Sequence, residues 1–308
     1  MEWYIWVLIA ILLLVVLYFV ITFVVYYKTF TNPKSRKIQS VDNSPYKDYN
    51  DYFAQRREVY DAYNKEEIAI KSRDNLTLRG VYIENEIKDK IVIIFHGFKS
   101  KGDSDILLSC DFYKLGYSLI IVDQRGHGKS DGKFIGMGIL ERYDVLSWIE
   151  YTIKRFGPNI KILLGGTSMG SASIMMASEL ITSEQVKGLV ADCGFSSCYD
   201  EVRYCLKGLP SFPLMPTINL YSRIFAKYNM KETTSEKSLA NSCIPIMIIH
   251  GKKDDFVPST NAEKCYYASN SKVKELVYFD DSIHATCYAD NTLEYDNRVR
   301  CFLEKISF

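Results

Sequence analysis

The chain has 308 residues, of which 47% are hydrophobic and 24% charged, and its formal net charge is +1. This length accommodates one large α/β domain with an appendage, and the small net charge, without any Lys/Arg-rich run, excludes the electrostatic footprint of a nucleic-acid-binding protein. The eight cysteines form no Cys-x-x-Cys pair and no zinc-site spacing, so we expect no metal, no organic cofactor, and free thiols in a reducing compartment.

The first element is an apolar, uncharged segment from Trp3 to Tyr27. As a helix rising about 1.5 Å per residue it spans roughly 37 Å, enough to cross a bilayer. The aromatic residues at both of its ends suit the two membrane–water interfaces. A cleaved signal peptide would have a basic start, a shorter apolar core and a small-residue cleavage site, whereas this chain begins Met-Glu-Trp. We therefore predict an uncleaved transmembrane anchor over residues 1–28.

The charges that flank this segment predict its orientation. Glu2 is the only charged side chain before it, whereas four basic residues follow it closely, namely Lys28, Lys34, Arg36 and Lys37. The positive-inside rule then places the rest of the chain in the cytoplasm, which agrees with free cysteines. The prediction is a single-pass membrane protein with a cytoplasmic C-terminal domain.

Residues 29–65 are interpreted as a juxtamembrane tether. Asn32-Pro33 and Asn43-Ser44-Pro45 are turn signals. Between Lys47 and Asn64, aromatic and apolar residues are loosely spaced as on one helical face. This pattern leaves open a short helix on the domain, a helix near the membrane, or a solvated linker.

Residues 66–308 alternate between strand-like and helical patterns, which predicts a doubly covered, mostly parallel α/β sheet. A hairpin is expected from Glu66–Lys71 and Leu76–Ile83. Helices are expected at Leu107–Tyr113 and Ile139–Arg155. The remaining predicted strands are Ile91–Phe95, Tyr117–Val122, Ile162–Leu164, Val186–Ala191, Ile246–Ile249 and Val273–Phe279.

The alternation is interrupted between about residues 198 and 243. This stretch contains three prolines, Pro210, Pro213 and Pro216, with short helices predicted at Asp200–Leu206 and Ile218–Tyr228. Long insertions in compact domains are usually lids or binding loops, so we predict a small helical cap over the functional site. An insertion without a role in substrate binding is the alternative.

A nucleophile is predicted from the stretch that follows the apolar strand at Ile162–Leu164. Gly166-Thr-Ser-Met-Gly170 has the form G-x-S-x-G between a strand and a helix of small residues, and this context exposes the central serine on a strained turn. We therefore predict Ser168 as the nucleophile. A second copy, Gly128-Lys-Ser-Asp-Gly132, is not joined directly to a strand and precedes no such helix, so Ser130 is rejected.

A serine nucleophile needs a base, and the base needs an acid that orients it. The chain has four histidines, and three of them directly precede a glycine after a strand or its turn, which indicates structural roles: His96, His127 and His250. His284 lies beyond the last strand and before the final helix, so it is the predicted base. The chain order Ser, acid, His leaves three candidate acids, Asp254, Asp255 and Asp192.

Five motifs in order carry a family resemblance: His96-Gly97-Phe98, Asp123–Gly132, Gly166–Gly170, His250–Asp254 with Val257-Pro258, and His284-Ala285. With them, residues from about 66 to 308 resemble the α/β-hydrolase superfamily, in particular its bacterial branch of serine aminopeptidases and small, here membrane-anchored, esterases.

The resemblance implies the α/β-hydrolase fold, Asp254 as the acid, and a structural role for the loop at 123–132. It also implies that the backbone N–H of Phe98 joins that of Met169, directly after the nucleophile, in an oxyanion hole.

The expected function is a membrane-anchored serine hydrolase that cleaves a carboxylic ester or thioester through Ser168, His284 and Asp254. The apolar cap and the anchor indicate a small acyl substrate of lipophilic character. A serine peptidase, including an aminopeptidase, and an acyltransferase use the same triad and stay open. Dehalogenases and epoxide hydrolases place Asp at the elbow, where this chain has Ser168. A non-catalytic membrane scaffold is the remaining alternative. Such a scaffold would be free to lose triad residues, whereas this chain contains all three.

Overall fold

The computed structural model describes residues 2–31, 46–104 and 112–308. Its centre is an eight-stranded sheet in the order β1-β2-β4-β3-β5-β6-β7-β8. Strand β2 is antiparallel to its neighbours β1 and β4, and the other pairs are parallel. The mostly parallel sheet predicted from the sequence is therefore confirmed. The strands are β1 Glu66–Lys71, β2 Thr77–Ile83, β3 Ile87–Phe95, β4 Tyr117–Asp123, β5 Lys161–Thr167, β6 Val186–Asp192, β7 Ile246–Gly251 and β8 Lys274–Phe279.

Helices cover both faces of the sheet. The two faces of β3 show why its sequence is apolar throughout: Ile91 and Ile93 pack with α3 and α4, whereas Val92 and Ile94 pack with α2 and α10. A strand buried on both faces reads as a continuous apolar run. The helices are α1 Trp3–Phe30, α2 Asn50–Asp61, α3 Glu141–Phe156, α4 Met169–Ala177, α5 Cys198–Cys205, α6 Ser211–Tyr221, α7 Ser235–Ala240, α8 Thr260–Ala268, α9 Cys287–Asp290 and α10 Thr292–Lys305.

Helix α1 coincides with the apolar N-terminal segment. Within the described ranges it is the one helix that is long and apolar enough to cross a membrane. Its first half is exposed, but in its second half Thr22, Tyr26 and Phe30 are buried. The end of α1 therefore packs against the α/β body.

Helix α2 lies in the segment interpreted as a tether. Its Arg56 and Tyr60 are buried, and Nη2 of Arg56 donates to the hydroxyl of Tyr288 at 2.5 Å. Of the alternatives left open by the sequence, this segment forms a helix on the domain. The turn signals at 32–33 and 43–45 lie outside the described residues.

The predicted helix at 139–155 is observed as α3, which ends at Gly157 with a φ of +94°. Most of the helix predicted at 107–113 lies outside the described residues, and its last two residues are helical.

The insertion after β6 contains three helices, α5, α6 and α7. Helix α6 begins at Ser211, earlier than the predicted Ile218, and it has a kink at Phe212, whose backbone angles are non-helical (φ −104°, ψ 131°). Pro213 directly follows this kink, where N–H groups lack an intrahelical partner and proline is tolerated, whereas Pro216 lies inside the helix. A π-helical turn, Ser222–Ala226, continues α6 to Lys227.

Candidate active site

Ser168 lies between β5 and α4 with a φ of +53° and a ψ of −112°. Such a backbone is strained for a residue with a side chain. Both flanking glycines are required by close packing: a methyl group at Gly166 would lie 2.5 Å from the backbone of Gly170. A methyl group at Gly170 would lie 2.0 Å from the carbonyl oxygen of Phe95. The turn at Gly166–Gly170, the nucleophile elbow, is thus packed tightly against the end of β3.

Three side chains that are far apart in the sequence meet beside this elbow. Nε2 of His284 is 3.0 Å from Oγ of Ser168, and Nδ1 of His284 is 2.7 Å from Oδ2 of Asp254. Because the carboxylate accepts the Nδ1 proton, the neutral ring leaves Nε2 free to accept the serine hydroxyl. The structure therefore brings Ser168, His284 and Asp254 into one hydrogen-bonded chain.

The carboxylate of Asp254 is held by its own loop. Its Oδ1 accepts from the backbone N–H of Phe256 at 3.0 Å and of Val257 at 2.8 Å. Burial alone would raise its pKa, but hydrogen bonds from His250 and His284 and the charge of His284 lower that pKa to about 2. Asp254 is therefore ionised at neutral pH, although it is only 6% exposed.

The two other candidate acids do not bond to His284. Asp255 is exposed, and its carbonyl accepts from Tyr204 at 3.1 Å and from Lys207 at 3.0 Å. Asp192, at the end of β6, is buried and accepts from the hydroxyl of Tyr295 at 3.2 Å. Burial raises the pKa of Asp192 to about 6. The placement of Asp254 thus agrees with the acid that the family resemblance implied.

His96 and His127 are buried neutral rings in the loops around the sheet edge. Nδ1 of His96 bonds the carbonyl of Gly97 at 2.7 Å, and its Nε2 accepts from the backbone N–H of Gln124 at 3.0 Å. His127 accepts from the backbone N–H of Lys99 at 3.0 Å. Burial lowers the pKa to about 4 for His96 and to about 3 for His127. Both rings hold the loop that contains Phe98.

Ser130, in the second G-x-S-x-G copy, is fully buried. Its hydroxyl donates to the carbonyl of Asp123 at 2.5 Å and accepts from the backbone N–H of Arg79 at 2.7 Å. These two hydrogen bonds fix the Ser130 hydroxyl against strands β2 and β4. His284 bonds Ser168 instead.

The two predicted oxyanion donors lie on the segments that flank the elbow. Met169 is the first residue of α4, and such a residue's N–H has no intrahelical acceptor. Phe98 lies in the loop after β3, whose last residue, Phe95, contacts the elbow. Both N–H groups are therefore carried by segments beside Ser168.

Glu201 is a residue near this site that the sequence did not single out. It lies on α5 and is 3% exposed, and its Oε1 accepts from Sγ of Cys205 at 3.5 Å. Burial raises its pKa to about 7, and the charges of His284 and Asp254 act on it. The only signal in the sequence is an acidic residue on a short amphipathic helix of the cap.

Within the described part of the chain, no three His, Cys, Asp or Glu side chains are grouped as metal ligands. The seven described cysteines are free thiols. The candidate chemistry therefore depends on the protein's own serine, histidine and carboxylate groups.

Comparison with known proteins agrees with the fold. The model of the serine aminopeptidase (S33) family matches residues 86–202. The uncharacterized protein YqkD of Bacillus subtilis is 26% identical over 254 residues, which cover 81% of this chain and 83% of YqkD. An esterase of Pyrococcus furiosus superimposes with a TM-score of 0.68 at 21% identity, covering 90% of this chain and 98% of the esterase.

An acylaminoacyl peptidase of Pyrococcus horikoshii superimposes with a TM-score of 0.57 at 19% identity, covering 81% of this chain and 43% of the peptidase. An esterase and a peptidase thus both share the fold of this chain. The sheet, the turn at Ser168 and the matches to solved structures agree on one architecture: the chain has the α/β-hydrolase fold.

Proposed function

We propose that the protein is a serine hydrolase that cleaves a carboxylic ester or thioester through an acyl-enzyme. The observation that carries this proposal is the hydrogen-bonded chain from Ser168 through His284 to Asp254, with distances of 3.0 and 2.7 Å. A serine hydroxyl is a weak nucleophile until a neighbouring base accepts its proton. The two distances support such a proton transfer from Ser168 to His284.

In the proposed mechanism, Ser168 attacks the substrate carbonyl while His284 takes the hydroxyl proton. Asp254, ionised at neutral pH, stabilises the imidazolium and keeps the ring oriented. The backbone N–H groups of Met169 and Phe98 stabilise the oxyanion, and loss of one such donor typically costs about two to three orders of magnitude in rate. His284 returns the proton to the leaving group, and water then releases the acyl group by the same steps.

The proposal includes α1 as a retained membrane anchor. One observation supports it over a cleaved signal peptide: near the end of this helix, Tyr26 and Phe30 are buried in a cluster with residues of the body. A cleaved leader would leave that cluster open. The basic residues after α1 favour a cytoplasmic catalytic domain.

A lipophilic acyl substrate is favoured by the apolar surroundings of Ser168. Met169 packs in one hydrophobic cluster with residues of the cap, among them Met215 and Ile218, and Phe98 packs against the same cluster. Both proposed oxyanion donors therefore lie in an apolar setting. These apolar surroundings favour the binding of an alkyl chain over that of a charged or strongly hydrated acyl group.

The assignment of Ser168 is tested with a fluorophosphonate probe on the full-length protein in detergent. We expect labelling of the wild type and of Ser130→Ala, and loss of labelling in Ser168→Ala. Equal labelling of Ser168→Ala and wild type would discard Ser168 as the nucleophile. Turnover of any activated ester that His284→Ala abolishes would exclude the non-catalytic scaffold.

Peptidase activity is the second candidate, because the serine aminopeptidase (S33) family model matches residues 86–202 and an acylaminoacyl peptidase has the same fold. Comparing the hydrolysis of p-nitrophenyl esters with that of aminoacyl-arylamides separates the two activities. Adding acyl acceptors to the ester assay tests for acyl transfer.

A further inference from the structure

The face that α1 turns toward the body follows a four-residue spacing. Tyr18 is half-buried, and Thr22, Tyr26 and Phe30 are buried. Residues four apart lie on one side of a helix, so this spacing defines a single docking face. The other residues of the helix are exposed, except for Ile5, Phe23 and Thr29, which are half-buried.

Helix α6 of the cap lies directly against this face. The hydroxyls of Tyr18 and Thr217 are 3.0 Å apart, and those of Thr22 and Tyr221 are 3.1 Å apart. The hydroxyl of Tyr221 also donates to the carbonyl of Phe19 at 2.7 Å. The hydroxyls of Tyr18 and Thr22 on the anchor are thus paired with hydroxyls of the cap.

Aromatic contacts extend this docking beyond α6. The ring of Phe23 lies 4.8 Å from that of Phe225 and 5.4 Å from that of Tyr221, and the ring of Tyr26 lies 5.6 Å from that of Tyr221. The cap and the second half of α1 therefore form one packed unit.

The length of α1 sets the depth of this unit relative to a bilayer. A hydrocarbon core about 30 Å thick takes about 20 helical residues, whereas α1 has 28. Counted from Trp3, the hydrocarbon region ends near Thr22, which bonds Tyr221, and the contact between Tyr18 and Thr217 lies one helical turn before it. The second half of helix α6 therefore lies near the level where acyl chains meet head groups.

The cap surface at this level is apolar with a basic surround. Residues 202–231 contain five basic residues and no Asp or Glu. A helix surface of this composition is typical of segments that lie in the membrane interface, where basic side chains meet anionic head groups. The exposed apolar side chains are Phe212 (80% exposed), Leu209, Ile224, Leu220 and Phe225.

We propose that this cap surface inserts into the interface of the leaflet where α1 ends, so that the partner covering it is the lipid bilayer. The inference rests on α1 being the membrane anchor of the proposed function. The anchor then does more than tether the domain, because its docking face fixes the cap at one depth and in one orientation. The hydrophobic cluster that includes Tyr26 also includes Met169, so the reactive serine lies on the side of the domain that faces the lipid.

The decisive experiment places a photoreactive phenylalanine analogue, benzoyl-phenylalanine, at position 212 of the full-length protein in vesicles of phosphatidylethanolamine and phosphatidylglycerol. The matched control carries the analogue at Tyr267, an aromatic residue of α8 that is 77% exposed and lies outside the cap. A third variant carries it at Leu12, within the span. We expect lipid adducts at positions 212 and 12 after irradiation, and none above background at position 267.

Each other outcome contradicts the proposal in a distinguishable way. Adducts at position 12 without adducts at position 212 would leave the anchor in place and show a cap that stands away from the bilayer. Absence of adducts at both positions would reject the membrane anchor together with the proposal. Cross-links from position 212 to a second copy of the chain would replace the bilayer with a protein partner.

A kinetic measurement tests the consequence for substrate access. The double variant Phe212→Ser, Leu220→Ser should hydrolyse a long-chain ester embedded in the same vesicles about tenfold more slowly, because it loses the burial of two large apolar side chains. Its hydrolysis of soluble p-nitrophenyl acetate should match the wild type, as should both activities of Tyr267→Ser. Equal loss on both esters would contradict a lipid-facing role. Because the adduct measurement needs no turnover, an inactive wild type would reject the proposed hydrolase and leave the docking result intact.

Discussion

The imidazole Nε2 of His250 lies 3.3 Å from Oδ2 of Asp254 and bonds the carbonyl oxygen of Val257 at 2.8 Å. His250 is the last residue but one of the buried strand β7, and its ring is fully buried. It therefore connects the strand to both ends of the loop that presents the Asp254 carboxylate to His284. A histidine that the sequence indicated as structural has its structural role inside the candidate site.

Replacing His250 with Phe keeps a ring of similar size but removes the donor. We expect the free energy of unfolding to fall by about 1–3 kcal/mol, because a buried carbonyl and a buried carboxylate each lose a partner. Urea unfolding of the detergent-solubilised full chain measures this loss. His250→Gln, which retains an N–H donor, should recover part of the stability. If both variants were equally destabilised, packing rather than hydrogen bonding would explain the role of the ring.

Asp254→Asn should lower kcat by about four orders of magnitude, and it should also lower the thermal midpoint at neutral pH, because the lowered pKa of Asp254 means that its ionised carboxylate stabilises the folded state. An amide can donate to Nδ1 of His284 and hold the ring in the tautomer that cannot accept the serine proton. Steady-state kinetics on p-nitrophenyl esters provides the measurement. Asp255→Asn is the matched control and should behave as wild type, because Asp255 is exposed and its carboxylate does not bond to His284. A reversed result would move the acid to position 255.

Gly170→Ala should be strongly destabilising, because the added methyl group would lie 2.0 Å from the carbonyl oxygen of Phe95. Overpacking of this kind typically costs about 1–3 kcal/mol, and the necessary shift also displaces Ser168. Gly208→Ala is the control, since its φ is +82° but nothing lies within 4 Å of the added group. It should show only the backbone strain, about 1–2 kcal/mol, with full activity. Wild-type activity in Gly170→Ala would contradict the tight elbow.

Glu201→Gln should change how stability depends on pH. Burial raises the pKa of Glu201 to about 7, so between about pH 4.5 and 7 the folded state binds more protons than the unfolded state and wild-type stability falls as pH rises. The neutral amide removes this contribution. At pH 8 the variant should therefore be more stable than wild type by about 2–3 kcal/mol, and at pH 4.5 nearly equal to it.

The thermal midpoints of both proteins are measured at about pH 4.5, 6 and 8, values that bracket the raised pKa of Glu201. Glu304→Gln, at an exposed position on α10, is the control and should follow the wild-type curve. A constant offset between Glu201→Gln and wild type at every pH would show that packing, rather than ionisation, accounts for the change.

Local chemistry in the sequence was enough to predict the elements that carry the candidate site. The strand–glycine–serine–glycine–helix order around Ser168 needs only neighbouring residues, because a sharp turn and close packing both depend on small side chains at fixed positions. The position of His284 after the last strand followed in the same way from counting strands. The catalytic roles of both residues stay predictions until the labelling and kinetic experiments are performed.

Other features depended on contacts between distant parts of the chain. Asp192, Asp254 and Asp255 all follow buried strands and all obey the same chain order, so neighbouring residues could not separate them, and the family resemblance was needed to favour one. The structure distinguishes them by distance, since Asp254 alone among the three bonds to His284. The start of α6 was also predicted too late, because the sequence alone did not show that the helix extends across Pro213 and Pro216.

The sequence by itself determined the sheet, the elbow and the apolar N-terminal helix, because periodicity and turn chemistry are local properties. Only the tertiary structure decided that Thr22 and Tyr26 dock on the cap and that Glu201 is buried near His284. These contacts join residues well separated along the chain, and their energy comes from packing surfaces that exist only after the chain has folded.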